Sequence, residues 1–436
     1  MQPVPDKNFL QFLGKPLVAH QLGTLIRAGF SEILVMGGAH NLADLKKLVK
    51  EYDAKGAEIT VKEQEDLELG MAGAILSEEK WIGGDPFFAV SANDVVDPSA
   101  YDLLSENVKT GEGLLVAKKV SEYFPGGYLK VATGGAISKI VEKPGEGKEP
   151  SDLVNIVMHY HPNSKAFLAA LKKISSRPNR SEANNYCAKG ASFSCDDRYE
   201  LALQQLFDAG VVYRAVPFSG FWQPIKYPWH VLRLMNYYLD NLKPRLKGKG
   251  IEIAKNATIK GNVYLEDGVK VMEGAVISGP VYIGKNTIVG THSLVRQAHI
   301  GADCVIGRSE VARSFMGDGV WLHMNYIGDS VIGNDVSFGA GALTGNFRLD
   351  EKNIQVQVNG GDKIDCGSNK FGLVTGDHIR VGINVSFMPG VKIGSNAFVG
   401  AGIVVAQDVP EASFVTGSWE LKIKPNREKI KPRADH

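Results

Sequence analysis

A period of six residues runs through the second half of this chain, and few folds tolerate one. Stepping by six from Ile253 meets Ile259, Leu265, Val271, Ile277, Ile283, Val289 and Val295, all aliphatic. After a one-residue slip Ile300 and Ile306 continue, and a second run comprises Val381, Phe387, Ile393, Val399 and Val405. Glycine follows many of them, at Gly284, Gly290, Gly301, Gly307, Gly382, Gly394 and Gly400. An α-helix repeats every ~3.6 residues and a strand every ~2, so neither accounts for the pattern. A β-sandwich, with turns about every 8–12 residues, does not hold a strict six. The spacing predicts a β-helix, a triangular coil of three short strands that each turn one aliphatic residue inward. Glycine and asparagine are expected at corners that need positive φ. Between Gly345 and Gly372 the hexad disappears into a charged segment, Asn346-Phe347-Arg348-Leu349-Asp350-Glu351-Lys352. Insertions in a solenoid map to loops on one face, so this is the candidate lid.

The first half follows another rule. Pro16 to Ala28 and Leu42 to Tyr52 read as amphipathic helices, and Glu32 to Met36, Glu58 to Lys62 and Phe87 to Ser91 as strands. That alternation predicts an α/β domain with a mostly parallel, Rossmann-like sheet. Ligands of such sheets bind beyond the carboxyl ends of strands, where Asn93-Asp94 falls. The expected division is an α/β domain over residues 1–242, a basic linker over 243–250, a β-helix over 251–418 and a tail over 419–436. A run such as the linker is usually a solvated connection.

Composition excludes several classes. The chain has 436 residues, with 49 Lys plus Arg against 48 Asp plus Glu, so there is no net basic surplus for nucleic acid or an anionic membrane. No apolar run approaches the ~20 residues of a membrane helix, and Met1 to Lys7 carry no signal pattern, which points to a cytoplasmic protein. The four cysteines, Cys187, Cys195, Cys304 and Cys366, have no zinc-type spacing and read as reduced thiols.

The motifs carry a resemblance that covers nearly the whole chain. In the first half they are Lys7, Gly14-Lys15-Pro16-Leu17, Gln64, Gly70-Met71-Ala72, Asn93-Asp94, Val141-Glu142-Lys143-Pro144 and Asn155. In the second they are Leu322-His323-Met324-Asn325-Tyr326-Ile327-Gly328-Asp329, Gly339-Ala340-Gly341, Thr344-Gly345-Asn346, Lys352, Gly382-Ile383-Asn384-Val385-Ser386 and Met388-Pro389-Gly390. In this order they resemble sugar-1-phosphate nucleotidyltransferases fused to a left-handed β-helix of hexapeptide repeats. The resemblance is strongest to the bifunctional N-acetylglucosamine-1-phosphate uridyltransferase and glucosamine-1-phosphate acetyltransferase family.

The resemblance implies acetyl transfer from acetyl-CoA to an amino sugar phosphate, with His323 as general base. Tyr326, Asn346, Lys352, Arg296 and Arg313 would hold the substrate, and Ala340, Gly382, Ala401 and Gly402 would line the acetyl-CoA groove. In the first half it implies UTP and a sugar phosphate as substrates, with Asp94 binding magnesium, Lys7 a phosphate, Gln64 and Gly70 the base and ribose, and Glu142 and Asn155 the sugar. It also implies a homotrimer. The chain departs from the family in four places. It starts just downstream of where a glycine-rich phosphate loop would stand, and Pro224 replaces a usual aspartate two positions after Trp222. Ala312 and Gln355 stand where lysines are common. A nucleotidyltransferase for another sugar phosphate, with the β-helix only assembling subunits, and a non-catalytic regulatory subunit therefore stay open as alternatives.

Overall fold

The computed structural model describes residues 1–108, 111–176, 197–358, 360–361, 363–418 and 422–425. Cys187, Cys195 and most of the expected tail lie outside the described residues; Cys304 and Cys366 are free and buried. The chain divides into two compact units, one of Asp6–Tyr237 and one of Met1–Pro5 with Tyr238–His436.

In the first unit a short hairpin, β1 (Gln11–Phe12) and β2 (Lys15–Pro16), leads into α1 (Leu17–Arg27). β3 (Glu32–Gly37), α2 (Leu42–Glu51) and β4 (Glu58–Glu63) form a βαβ unit whose strands pair in parallel. After α3 (Gly70–Ser77) and α4 (Glu79–Ile82) come β5 (Phe87–Val90), β6 (Asp94–Val96), α5 (Ser99–Asn107) and β7 (Gly113–Lys119). β8 (Gly127–Val131), β9 (Ile137–Glu142), β10 (Leu153–His161), α6 (Ser164–Ser175) and α7 (Arg198–Asp208) follow. β11 (Tyr213–Pro217), β12 (Trp222–Pro224) and α8 (Trp229–Asp240) complete the series.

β5, β7, β8 and β11 run one way, against β9 and β10. The sheet is thus largely parallel in direction, yet most of its hydrogen-bonded pairs are antiparallel, because the reversed β10 lies between the others. β7 explains why this sheet is covered on both faces. Leu114 and Val116 pack with Tyr101, Leu104 and Met158, while Leu115 and Ala117 pack with Phe167, Leu171 and Leu203. A strand buried on both sides reads as a continuous apolar run, as this one does.

The second unit is a parallel β-solenoid. Three ladders of short strands stack coil upon coil, with Val271 against Val289, Ile277 against Val295 and Ile283 against Ile300 in register. The predicted inward residues from Leu265 to Ile306 are at most 2% exposed and belong to one continuous core. Ile253 is 39% exposed because no coil covers it on one side.

Two features differ from the spacing argument. First, the strict six is lost after Ile306 while the coils go on. Val311, Met316, Leu322, Ile327, Ile332 and Phe338 continue the same buried column. Here two of every three sides lose a residue, so Ile306, Leu322 and Phe338 are 16 apart. A coil of sixteen hides from a search for strict sixes. Second, the glycines after the aliphatic residues do not adopt positive φ. They are needed because coils stack closely, and a Cβ on Gly284 would lie 2.5 Å from the Gly301 carbonyl carbon. The left-handed corners belong instead to residues such as Gly268, Asn286, Asp303, Asn384, Asn396 and Gly402.

The basic linker is exposed at every residue but Arg245, which ties it to the solenoid. Its Arg245 exchanges backbone hydrogen bonds with Val263 and Leu265 and reaches Asp267 with its guanidinium, so it forms part of the first coil. The interruption after Gly345 carries a β-hairpin, Gln355–Gln357 against Lys363–Asp365. Its Ile354 and Val356 are buried and pack close to Gly390 of the next coil.

Candidate functional site

The solenoid holds the first site. His323 ends a strand on one side of the coil, in register with Gly307 on the coil before. Gly339 follows at the same corner one coil on. With no side chains above or below, the imidazole is exposed, and no side-chain hydrogen bond restrains its ring among the described residues. Its backbone is fixed instead. The His323 N–H donates to Oδ1 of buried Asn325, whose Nδ2 donates to the Gly339 and Ala342 carbonyls at 2.9 and 3.0 Å.

Three residues beyond His323, Tyr326 opens the next side of the coil. Arg313 and Asp329, both at positive φ, occupy the following corner in adjacent coils. The Arg313 guanidinium makes a two-pronged pair with Asp329, both contacts at 2.7 Å. Asn346 donates from Nδ2 to Asp329 at 2.5 Å and to the Tyr326 hydroxyl at 3.2 Å. Gly328 makes this meeting feasible, since a Cβ there would lie 2.5 Å from the Tyr326 hydroxyl. Arg296 sits two coils earlier in the same register and pairs with Glu310 at 2.6 Å.

Lys352 is exposed on the inserted loop and takes no part in this network; its backbone N–H donates to Asp350 at 3.4 Å. Gln355 is held on the hairpin by Asp365. Ala340, Gly382, Ala401 and Gly402 share one corner. The Asn384 N–H donates to the Ala340 carbonyl and the Gly402 N–H to Ile383. A Cβ on Gly382 would lie 2.6 Å from the Ala401 nitrogen, so the coils stack closely here, with the exposed Ile383 side chain at the same corner.

The α/β unit holds the second site. Gln64 donates from Nε2 to the Gly70 carbonyl at 2.6 Å, which joins the two residues expected at the base and ribose. Glu142 and Asn155 both approach Gly127, where a Cβ would lie 3.1 Å from the Glu142 carboxylate and 3.8 Å from the Asn155 amide nitrogen. Asn155 is anchored from behind by a hydrogen bond with His159 at 2.8 Å.

Asp94 begins β6 and accepts a hydrogen bond from the Trp222 indole at 3.0 Å. β12 pairs antiparallel with β6 so that Pro224 stands opposite Asp94. Burial pushes the Asp94 carboxyl up, opposed by the indole and by the Lys226 and Lys7 charges. Among the described residues no three His, Cys, Asp or Glu side chains gather at a possible metal site. Magnesium is usually held by one or two carboxylates together with substrate phosphates and waters. Asp94 supplies one carboxylate, and it is the Lys7 and Lys226 ammonium charges facing it that make this a poor seat for a divalent cation.

Sequence reasoning assigned no role to Asp329, Asn325, Glu310 or Lys226. The first two lay within a quoted motif. Asp329 was findable, because it falls sixteen residues after Arg313, one coil in this stretch.

Among the described residues no helix is long and apolar enough to cross a membrane. Residues 4–200 match the nucleotidyl transferase family. Residues 262–297 match the bacterial transferase hexapeptide (six repeats), and residues 373–407 the hexapeptide repeat of succinyl-transferase. The "Bifunctional protein GlmU" of Bartonella quintana is 26% identical over 444 residues, covering 93% of this chain and 88% of that protein. The protein of the same name from Methanococcus vannielii is 30% identical over 423 residues, covering 96% of this chain and 94% of that one. A bifunctional sugar-1-phosphate nucleotidylyltransferase/acetyltransferase of Sulfurisphaera tokodaii is 34% identical over 420 residues, covering 94% of each chain. An α/β unit followed by a hexapeptide solenoid, matched over 94% or more of the chain by such relatives, shows that this chain belongs to the family of bifunctional sugar-1-phosphate nucleotidyltransferase/acetyltransferase enzymes.

Proposed function

We propose that the solenoid transfers the acetyl group of acetyl-CoA to the amine of glucosamine-1-phosphate, with His323 as general base. The observation that carries this reading is an exposed imidazole on a glycine-flanked corner, one strand away from the hydrogen-bonded set Tyr326, Asn346, Asp329 and Arg313. A neutral imidazole takes the proton from the amine as it attacks the thioester, which contributes about 10²–10⁴-fold. Tyr326 and Asn346 orient the sugar. Arg296 and Lys352 supply charge for its phosphate, and Arg313 acts through Asp329. The thioester's carrier lies along the Ala340, Gly382, Ala401 and Gly402 corner.

In the amino-terminal unit we infer a site for a uridine nucleotide and N-acetylglucosamine-1-phosphate. Gln64 and Gly70 lie on the nucleotide side, Glu142 and Asn155 on the sugar side, and Lys7 meets a phosphate. The product of the pair of sites is then UDP-N-acetylglucosamine. The stacked solenoid is read as the element that assembles a homotrimer, which light scattering in solution tests.

The deciding experiment follows coenzyme A release with a thiol reagent when the protein is given acetyl-CoA and glucosamine-1-phosphate. Release is expected to need both substrates and to fall about 10²–10⁴-fold in His323→Ala. Equal release from that variant would remove His323 from the chemistry, and no release from the folded parent chain would remove the acetyltransferase reading.

A further inference from the structure

The surroundings of Asp94 assign the amino-terminal unit a different way of holding phosphate. Two lysines converge there from distant parts of the chain. Lys226 is placed just after β12; its Nζ donates to the Pro125 carbonyl at 2.6 Å and sits 4.6 Å from the centre of the Phe124 ring. Lys7 donates from Nζ to the Ile225 carbonyl at 3.3 Å. An ammonium has three N–H groups, and each lysine spends one on a backbone carbonyl, which leaves others for a ligand.

Acids also face these cations. Burial pushes both lysines down, with Asp94 and Asp6 opposing at Lys7, and Glu142 and Asp94 opposing at Lys226. The acids are already engaged. Glu142 pairs with Lys143 at 3.3 Å, Asp6 accepts from the Asn8 N–H and the Asn41 amide, and Asp94 accepts from Trp222. Two partly buried ammonium groups with N–H donors to spare, whose neighbouring carboxylates bond elsewhere, can receive an anion, and charge-assisted hydrogen bonds to phosphate oxygens are strong. Two ammonium groups also carry the same total charge as one divalent ion.

We propose that Lys7 and Lys226 hold the diphosphate of a nucleoside diphosphate sugar directly, so that this unit binds its nucleotide ligand without a divalent cation. The inference rests on the reading of this unit as a sugar-nucleotide site. It adds that a lysine pair replaces the metal.

Calorimetric titration of the full chain with UDP-N-acetylglucosamine, once in EDTA and once in magnesium, tests it. Affinities within about twofold of each other are expected. Lys226→Met keeps the apolar stem on Phe124 and removes the charge, and it should weaken binding in EDTA by about tenfold. The double variant Pro224→Asp with Lys226→Gly places a second carboxylate opposite Asp94 and removes the nearby cation. It should bind Mn2+, seen by electron paramagnetic resonance, where the parent's amino-terminal unit does not. Binding by the parent chain that vanishes in EDTA overturns the lysine-pair inference and leaves the sugar-nucleotide reading standing. No binding in either buffer overturns that reading and the inference together.

Discussion

At the scale of single residues, the proposed acetyl-transfer site depends on groups that do no chemistry. Asn325 is 4% exposed and satisfies three backbone groups, the His323 N–H and the carbonyls of Gly339 and Ala342. Removing the side chain strands them, and each buried unsatisfied group costs about 1–3 kcal/mol. Asn325→Ala is therefore expected to lower both the urea midpoint and kcat, and unchanged values in both would show that His323 is held otherwise. Asp329 presents a similar case. Its two-pronged pair with Arg313 leaves the guanidinium about a quarter exposed, so Asp329→Ala should destabilise by about 2–3 kcal/mol, the loss expected for hydrogen bonds to a charged group. Adding Arg313→Ala should recover part of that loss, because the stranded charge is gone, and a strictly additive double variant would deny the coupling. The candidate site residues were picked from motif order alone. The pairing of Arg313 with Asp329 was not assigned, because the two are neighbours only across a coil boundary and the sixteen-residue coil had to be recognised first.

At the scale of one element, β10 carries two fully buried histidines in a strand that borders the amino-terminal site. Their hydrogen bonds have one consistent direction. His159 Nε2–H donates to Asn155 Oδ1, so His159 Nδ1 accepts from the Tyr199 hydroxyl. The Tyr199 oxygen then accepts from His161 Nε2–H, and His161 Nδ1 accepts from the Tyr213 hydroxyl. Burial holds His159 down at about 3 and His161 well below its ordinary value. Both stay neutral in the folded chain at pH values where the unfolded chain protonates them, near 6.5. Stability is fully present above about pH 6.5 and falls below it by about 1.4 kcal/mol per pH unit for each histidine. The urea midpoint of the amino-terminal unit should thus drop between pH 7.5 and pH 5.5, and a flat midpoint would contradict the neutral chain. Helices and strands of this unit were readable from apolar periodicity. The reversal of β10 was not, because a strand buried on both faces shows the same run of apolar residues whichever way it points.

At the scale of the whole molecule, the solenoid is a single column in which each coil is stabilised by its neighbours. Ile283 is fully buried in that column. Ile283→Asp places an uncompensated charge there at a cost of several kcal/mol, on the order of other unpaired core charges. Loss of the cooperative solenoid transition or aggregation is the expected outcome, and a soluble variant that unfolds like its parent would contradict the inward register. The column was legible because its period is unlike that of any other fold. The five-residue sides between Ile306 and Phe338 escaped, since shortened coils bury the same inward positions without keeping the same count. Close stacking has a further consequence. From the coil of His323 to that of Ala401 there are three steps, and with strands about 4.8 Å apart that is roughly 14 Å. The solenoid is in this sense a ruler with fixed graduations. Any linear ligand laid along it is measured in whole coils, and a change in preferred ligand length requires gaining or losing a complete turn of chain.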